Sequence, residues 1–218
     1  MTCLPSDPST SEVEVDEALL DPERVRAYAW TDPWVFSEQA PSLSGLEFLR
    51  ITRELGIAAP MNSTTGIDLV AIRDGEVVLE FVPSEWQYNL NGNVHGGMIC
   101  TIADSAMAMS ALSTLPAGFM PTTTDLQVRF FRPITMDLGT VRCTGTVVHR
   151  GRRTCAARAD LHDGDGRVLA QATTTCLIIP RPTGDDSRVT FGDKGIRQWT
   201  IKGENRATKH SNQEPGLD

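Results

Sequence analysis

The stretch NLNGNVHGGMICTIADSAMAM, residues 89–109, decides the fold, because a long apolar run follows directly after two glycines. Its Ala, Met and Ile content predicts a helix over roughly 94–115, ending before Pro116 and Gly118. The run is apolar on nearly all sides, so this helix should be buried on most of its surface. Its one charged residue is Asp104. A carboxylate in such a run is costly unless it is paired, exposed or used in chemistry.

The segments around this run predict one further helix and a sheet. Residues 42–55 have apolar residues near helical spacing, with Ser44 as N-cap. Asp74-Gly75 between two β-prone runs indicates a hairpin. Residues 122–180 alternate apolar and polar residues in three or four runs, with a tight turn near Gly151. We therefore predict an α+β fold, in which a curved antiparallel sheet of five or six strands wraps around a central helix.

Composition divides the chain into three parts. Residues 1–42 read as an acidic extension, residues 43–180 as one folded domain, and residues 181–218 as a polar, irregular tail. The net charge is −8, and nine acidic residues fall within 1–45. This charge argues against nucleic acid as a partner.

Other features of the composition limit which cofactors and which cellular location are expected. The five cysteines include no CxxC pair, which argues against a zinc site and a disulfide framework; we expect no metal and no cofactor. No run of about 18 apolar residues is present, so we expect no membrane partner. The acidic N-terminus does not read as a secretory signal, and the expected location is cytoplasmic.

Several motifs in order resemble one family. Residues 89–97, NLNGNVHGG, fit an Asn-x-x-Gly-x-x-His-Gly-Gly pattern, and Asp104 follows His95 by nine residues. The run TTTDLQVRFFRP and the closing segment from VVHRGRR to VLAQATTT complete the set. Over about 45–180 the chain resembles hotdog-fold acyl-CoA thioesterases of the PaaI-like (phenylacetic acid degradation) group. The resemblance implies hydrolysis of an acyl-CoA, in a homodimer or dimer of dimers with its active site at the subunit interface.

The resemblance also implies residue roles. Asp104 would be the nucleophile or general base, and Gly96 would supply an oxyanion N–H. Asn89 and His95 would line the site, and Thr123 would help to place the attacking water. Structural alternatives stay open: a turn for Asn89, a backbone-bonded histidine for His95, close packing for the glycines and plain β-propensity for Thr123.

The residue chemistry agrees with thioester hydrolysis. The reaction passes through an oxyanion, and the N–H groups at a helix N-terminus are unpaired donors that the helix dipole makes partly positive. A glycine there has no side chain to block an approaching carbonyl oxygen. The leaving thiol has a pKa of about 8.5, so it departs as thiolate without a strong general acid. One carboxylate and one oxyanion hole are then sufficient.

Further residues are candidates for substrate binding. These are Gly97 and the turn residues Arg150, Gly151, Arg152 and Arg153. Arginines suit the phosphates of CoA, and we group Arg129 and Arg132 on another strand with them; the alternative is a solvated hairpin edge. The methionines that either line an acyl pocket or fill the core are Met98, Met107, Met109 and Met120. Cys100 reads as a small buried apolar residue.

Three other functions compete with hydrolysis. The first is a hotdog protein that binds or senses acyl-CoA without catalysis, for which a carboxylate at position 104 would be unnecessary. The second is a hotdog-fold enoyl-CoA hydratase. That chemistry requires an Asp/His pair on one helix, and no His follows Asp104 in the predicted helix. The third is an interaction module that recruits a partner through the acidic extension.

Overall fold

The computed structural model describes residues 42–181, together with residues 24, 26, 27, 29 and 30. The extension 1–42 and the tail 181–218 therefore lie almost entirely outside the described residues, and their boundaries stay predictions. Within the described part of the extension, Arg24 Nε lies 3.0 Å from Glu85 Oε2. The Arg26 guanidinium lies 3.5 Å from the centroid of the Trp86 ring, a cation–π contact with the main domain.

Three helices and six strands make up the domain. In chain order they are α1 (Gly45–Glu54), α2 (Pro60–Thr65), β1 (Asp68–Arg73), β2 (Glu76–Phe81), α3 (Gly96–Ser113), β3 (Phe119–Phe130), β4 (Val141–Arg150), β5 (Thr154–His162) and β6 (Val168–Pro180). Short 3-10 turns lie at Glu85–Gln87 and Met136–Leu138. Helix α1 begins at the predicted cap, because Ser44 and Glu47 form a reciprocal capping box.

The strands form one antiparallel sheet in the order β1-β2-β4-β5-β6-β3. The predicted hairpin at Asp74-Gly75 joins β1 and β2, and Gly75 adopts a φ of 74°. Strand β3 pairs with β6, although the two are far apart in sequence, and it forms one edge of the sheet.

Helix α3 is the central helix that the apolar run predicts. Its bounds lie inside the predicted 94–115, and it contacts all six strands. Ile102, Ala103, Ala106 and Met107 on it are fully buried. The helix lies very close to β4, because a Cβ at Gly145 would stand 2.3 Å from Ala106 O. The predicted α+β fold, a sheet wrapped around a central helix, is confirmed.

None of the helices among the described residues is long and apolar enough to cross a membrane.

Candidate active site

The loop before α3 is held together by Asn89. Its backbone N–H donates to Asn93 O at 2.8 Å, and its Nδ2 donates to Asn93 Oδ1 at 3.1 Å. Its Oδ1 accepts from the Asn91 N–H at 2.8 Å. Gly92 supplies the positive φ of 76° that the turn requires. In this structure both ends of the Asn89 side chain therefore hydrogen-bond within the loop.

His95 is the N-cap of α3. Its Nδ1 accepts a hydrogen bond from the Gly97 N–H at 2.9 Å, and its own N–H donates to Gln87 O at 2.8 Å. A Cβ at Gly97 would stand 3.1 Å from His95 Nδ1, so the glycine gives the cap its room. The structure thus brings His95 and Gly97 together as a helix start.

The Gly96 N–H is left available at this helix start. It donates no hydrogen bond to another described residue, whereas the N–H groups of Met98 and Ile99 both donate to His95 O. A Cβ at Gly96 would meet the ring of Phe130 at 3.4 Å. A free donor at the positive end of a helix is what an oxyanion requires.

A cavity of about 400 Å³ opens beside Gly96. Its lining includes the predicted residues Asn89 and Gly96, and also residues 130–134, which begin with the last residue of β3. Sequence reasoning missed Phe130, Phe131 and Ile134 as cavity residues. The sequence feature that could have indicated them is the Arg132-Pro133 pair. Proline is disfavoured within a sheet, so the pair predicts the end of β3, and that end lies beside the start of α3.

Asp104 and Thr123 form the second group of predicted site residues. Thr123 Oγ1 donates to Asp104 Oδ1 at 2.8 Å. Asp104 is half-buried on α3, Thr123 is exposed on the edge strand β3, and the described residues include no cation that forms a salt bridge with Asp104. A hydroxyl donor stabilises the charged form of a carboxylate and fixes its orientation. The remaining oxygen, Oδ2, makes no hydrogen bond within the described part of the chain.

The two groups are separate within one chain. Asp104 lies eight positions after Gly96 on the same helix, about 12 Å farther along the axis. An oxyanion donor and an attacking atom on the same carbonyl stand at most about 7 Å apart, since each must approach it to about 3 Å. Within one chain the two groups, which we call candidate half-sites, therefore lie at different points of α3.

The arginine turn joins β4 and β5. The Gly151 N–H donates to Thr154 O at 2.8 Å, and the side chains of Arg150, Arg152 and Arg153 are exposed without a salt bridge in the described residues. The Ile178 N–H donates to Arg153 O at 2.8 Å, which places this turn at the end of the sheet that holds Thr123.

The predicted grouping of Arg129 and Arg132 with the arginine turn needs correction. Arg129 pairs with Gln171, and Arg132 Nη1 donates to Val168 O, so both lie at the opposite end of β6 from the arginine turn. The alternating pattern predicts strands but not their register, and it is the register of β3 against β6 that places Arg129 and Arg132 away from the arginine turn.

The prediction that Cys100 is buried is wrong. Its side chain is partly exposed, although partial burial raises the pKa of its thiol.

The methionines divide between core and surface. Met107 is fully buried in the core, whereas Met98 and Met109 only partly pack against it. Met109 also lines a second, mainly apolar cavity of about 340 Å³ between α3, α1 and β1.

Comparisons with known proteins agree with the fold and the motif. The model of the thioesterase superfamily matches residues 91–170. Human acyl-coenzyme A thioesterase 13 is 27% identical over 110 residues, which are 50% of this chain and 77% of that protein.

Solved structures with the same fold include two PaaI proteins. The protein from the Escherichia coli phenylacetic acid degradation operon has a TM-score of 0.56 and 21% identity, covering 64% of this chain and 98% of that chain. A mutant of PaaI from Thermus thermophilus has a TM-score of 0.50 and 25% identity, covering 55% of this chain and 98% of the other. In fold and motif, residues 91–170 are thus similar to hotdog-fold proteins of the thioesterase superfamily.

Proposed function

We propose that this protein hydrolyses acyl-CoA thioesters to a free acid and CoA. The observation that carries the proposal is the Asp104 carboxylate, half-buried in an apolar helix and held by Thr123 Oγ1 at 2.8 Å. The free Gly96 N–H at the start of the same helix supplies the complementary electrophilic group. The superfamily match and the likeness to acyl-coenzyme A thioesterase 13 support acyl-CoA as the substrate class.

The site is completed by a second copy of the chain. Because one helix holds Gly96 and Asp104 about 12 Å apart along its axis, both contact one carbonyl directly only if they come from different copies. Among the described residues, strand β3 forms an edge of the sheet that exposes Phe119 and Phe130, and Phe130 packs on Gly96. A two-fold axis near this edge would set Asp104 and Thr123 of one copy against Gly96 and Asn89 of the other.

The chemistry then divides between the two half-sites. The thioester oxygen accepts from the Gly96 N–H, which becomes a stronger hydrogen bond as the oxygen gains charge. Asp104 acts as general base toward water, or as nucleophile, at the carbonyl carbon; Thr123 keeps its carboxylate aligned. The C–S bond breaks, and CoA leaves as a thiolate that needs no strong acid. On the general-base route water adds to the carbonyl and the acid forms directly, whereas on the nucleophile route a water molecule must then cleave the acyl–Asp104 anhydride to release the acid.

The arginine turn fits the nucleotide end of CoA. Arg150, Arg152 and Arg153 present exposed guanidinium groups around Gly151, at the end of the sheet where Thr123 lies. Guanidinium groups bind phosphate oxygens through paired N–H donors. We therefore expect the arginine turn to contribute to the affinity for the substrate and not to the chemical step.

Thiol release from a panel of acyl-CoAs tests the proposal, with short, medium and long aliphatic and aryl members. The wild type should turn over at least one of them, and Asp104→Asn should lower kcat at least about 100-fold at unchanged folding, since it removes the base. Asp137→Asn, an exposed carboxylate on a 3-10 turn, is the matched control and should be silent. Tight acyl-CoA binding without turnover by the wild type would instead indicate a non-catalytic acyl-CoA-binding protein.

A further inference from the structure

Gln87 is a polar side chain that the fold buries almost completely beside the candidate active site. It is only 4% exposed, whereas glutamines lie mostly on protein surfaces. Its amide bonds in two directions: Nε2 donates to Thr65 O at 3.1 Å, and Oε1 accepts from the Ser84 N–H at 3.0 Å. The Gln87 N–H also donates to Ser84 O at 2.9 Å. Three hydrogen bonds therefore fix both the side chain and the backbone of Gln87.

The carbonyl of Thr65 explains why a glutamine suits this position. Thr65 is the last residue of α2, and the final carbonyls of a helix have no partner within the helix. The chain turns away directly afterwards at Gly66, which has a φ of 72°. Thr65 is itself buried, so an apolar side chain at position 87 would leave its carbonyl without that partner. The amide of Gln87 thus ties the 3-10 turn at Glu85–Gln87 to the end of α2.

The backbone of Gln87 ties the same turn to the start of α3. Gln87 O accepts from the His95 N–H at 2.8 Å, and the next residue, Tyr88, forms an isolated β-bridge with Val94. His95 is the N-cap of α3, and the Gly96 N–H is the next donor along the backbone. The direction of the Gly96 N–H therefore depends on how the His95 backbone is held.

We propose that Gln87 is a positioning residue for the oxyanion donor: it anchors the His95 backbone to α2 and so fixes the direction of the Gly96 N–H. The inference rests on the proposed thioester hydrolysis. Gln87 does not line the cavity beside Gly96, and it acts only through the backbone that follows it. Because a displacement of about 1 Å in an active site can cost about 100-fold in rate, the loss of this anchor should appear in kcat.

Gln87→Met tests the anchor, because methionine has a similar length but no donor and only a weakly accepting sulfur. Its kcat should fall about tenfold while KM stays within about twofold of the wild type, since the donor is displaced and not removed. If this variant does not fold, Gln87→Glu takes its place, because it keeps the acceptor for the Ser84 N–H and loses only the donor to Thr65 O.

Ser113→Ala is the matched control for a loss of packing alone. Ser113 is buried at the other end of α3, and its Oγ accepts from the Gly75 N–H at 2.8 Å. Like Gln87, it joins a turn to a helix through a buried hydrogen bond, but it lies far from the Gly96 N–H. Urea unfolding should show a lower midpoint for both variants, whereas thiol release should show a wild-type kcat for Ser113→Ala.

A double-mutant cycle shows which half-site Gln87 acts on. Gly96→Pro removes the donor itself, because proline has no backbone N–H, so adding Gln87→Met to it should not lower kcat further. In the Asp104→Asn background the donor is still present, and Gln87→Met should again lower kcat about tenfold.

Three results would overturn the inference while leaving the hydrolysis intact. These are a wild-type kcat in a folded Gln87→Met, an equal loss of kcat in Ser113→Ala, and a full further loss in the Gly96→Pro background. A wild type with no turnover would overturn the proposed function, and this inference with it.

Discussion

At the scale of single residues, His95, Gly96 and Gly97 each have a separate structural reason. His95 caps the helix, Gly97 lacks the Cβ that would crowd His95 Nδ1, and the Gly96 N–H donates to no other described residue. The sequence contains the His-Gly-Gly motif, but it does not decide whether His95 has a role in the site or a structural role. The role depends on which group the imidazole contacts. That group is the Gly97 N–H, and only the folded structure shows this contact.

A substitution pair at His95 separates these two roles. His95→Asn should keep kcat within about threefold of the wild type, because Asn is among the strongest N-cap residues and can accept from the Gly97 N–H. His95→Ala should lose about 1 kcal/mol of unfolding free energy, as cap removal does. Urea unfolding and thiol release measure the two quantities. A kcat for His95→Asn as low as that of Asp104→Asn would show that the imidazole itself takes part in the chemistry.

At the scale of elements, local patterns predict the helices and hairpins but not the register. The helix over residues 96–113 and the hairpin at Asp74-Gly75 follow from composition and turn residues alone. The pairing of β3 with β6, and the bulge that aims Thr123, are long-range features. Alternation fixes which face a residue occupies, whereas the partner across the strand depends on tertiary packing. The sequence therefore does not reveal that Cys176 is the residue opposite Thr123 in the sheet.

The contact between α3 and β4 is an element-scale prediction. A Cβ at Gly145 would stand 2.3 Å from Ala106 O, a backbone atom that can move only if the helix moves. Gly145→Ala should therefore lower the free energy of unfolding by about 1–3 kcal/mol, as overpacking does. Gly164→Ala is the control, because a Cβ there meets nothing within 4 Å. Urea unfolding compares them, and equal midpoints would mean that the helix does not pack against β4 this closely.

At the scale of the whole molecule, the two candidate half-sites lie apart on α3, and β3 forms an edge of the sheet among the described residues. The Gly96 half-site and the Asp104 half-site share one helix, and the helix geometry keeps them too far apart for both to contact one carbonyl directly. The free edge of β3 lies beside both, with Phe130 against Gly96 and Thr123 against Asp104. The central claim follows from these positions: two copies, joined near β3, make each active site from one half of either chain.

Two variants disable one half-site each. Asp104→Asn removes the base. Gly96→Pro removes the N–H with little disturbance, because proline suits the first helical position and His95 already has the φ of −59° and ψ of 135° favoured before proline. Each variant alone should lose at least about 100-fold in kcat.

The most direct measurement is thiol release by an equal mixture of these two variants, reassembled from unfolded chains. In a two-fold dimer, mixed dimers contain one site with both defects and one with none, so about a quarter of the wild-type activity should return. Each variant reassembled with itself is the control and should stay inactive. A mixture as inactive as its components, from chains that refold and associate, would contradict the shared site.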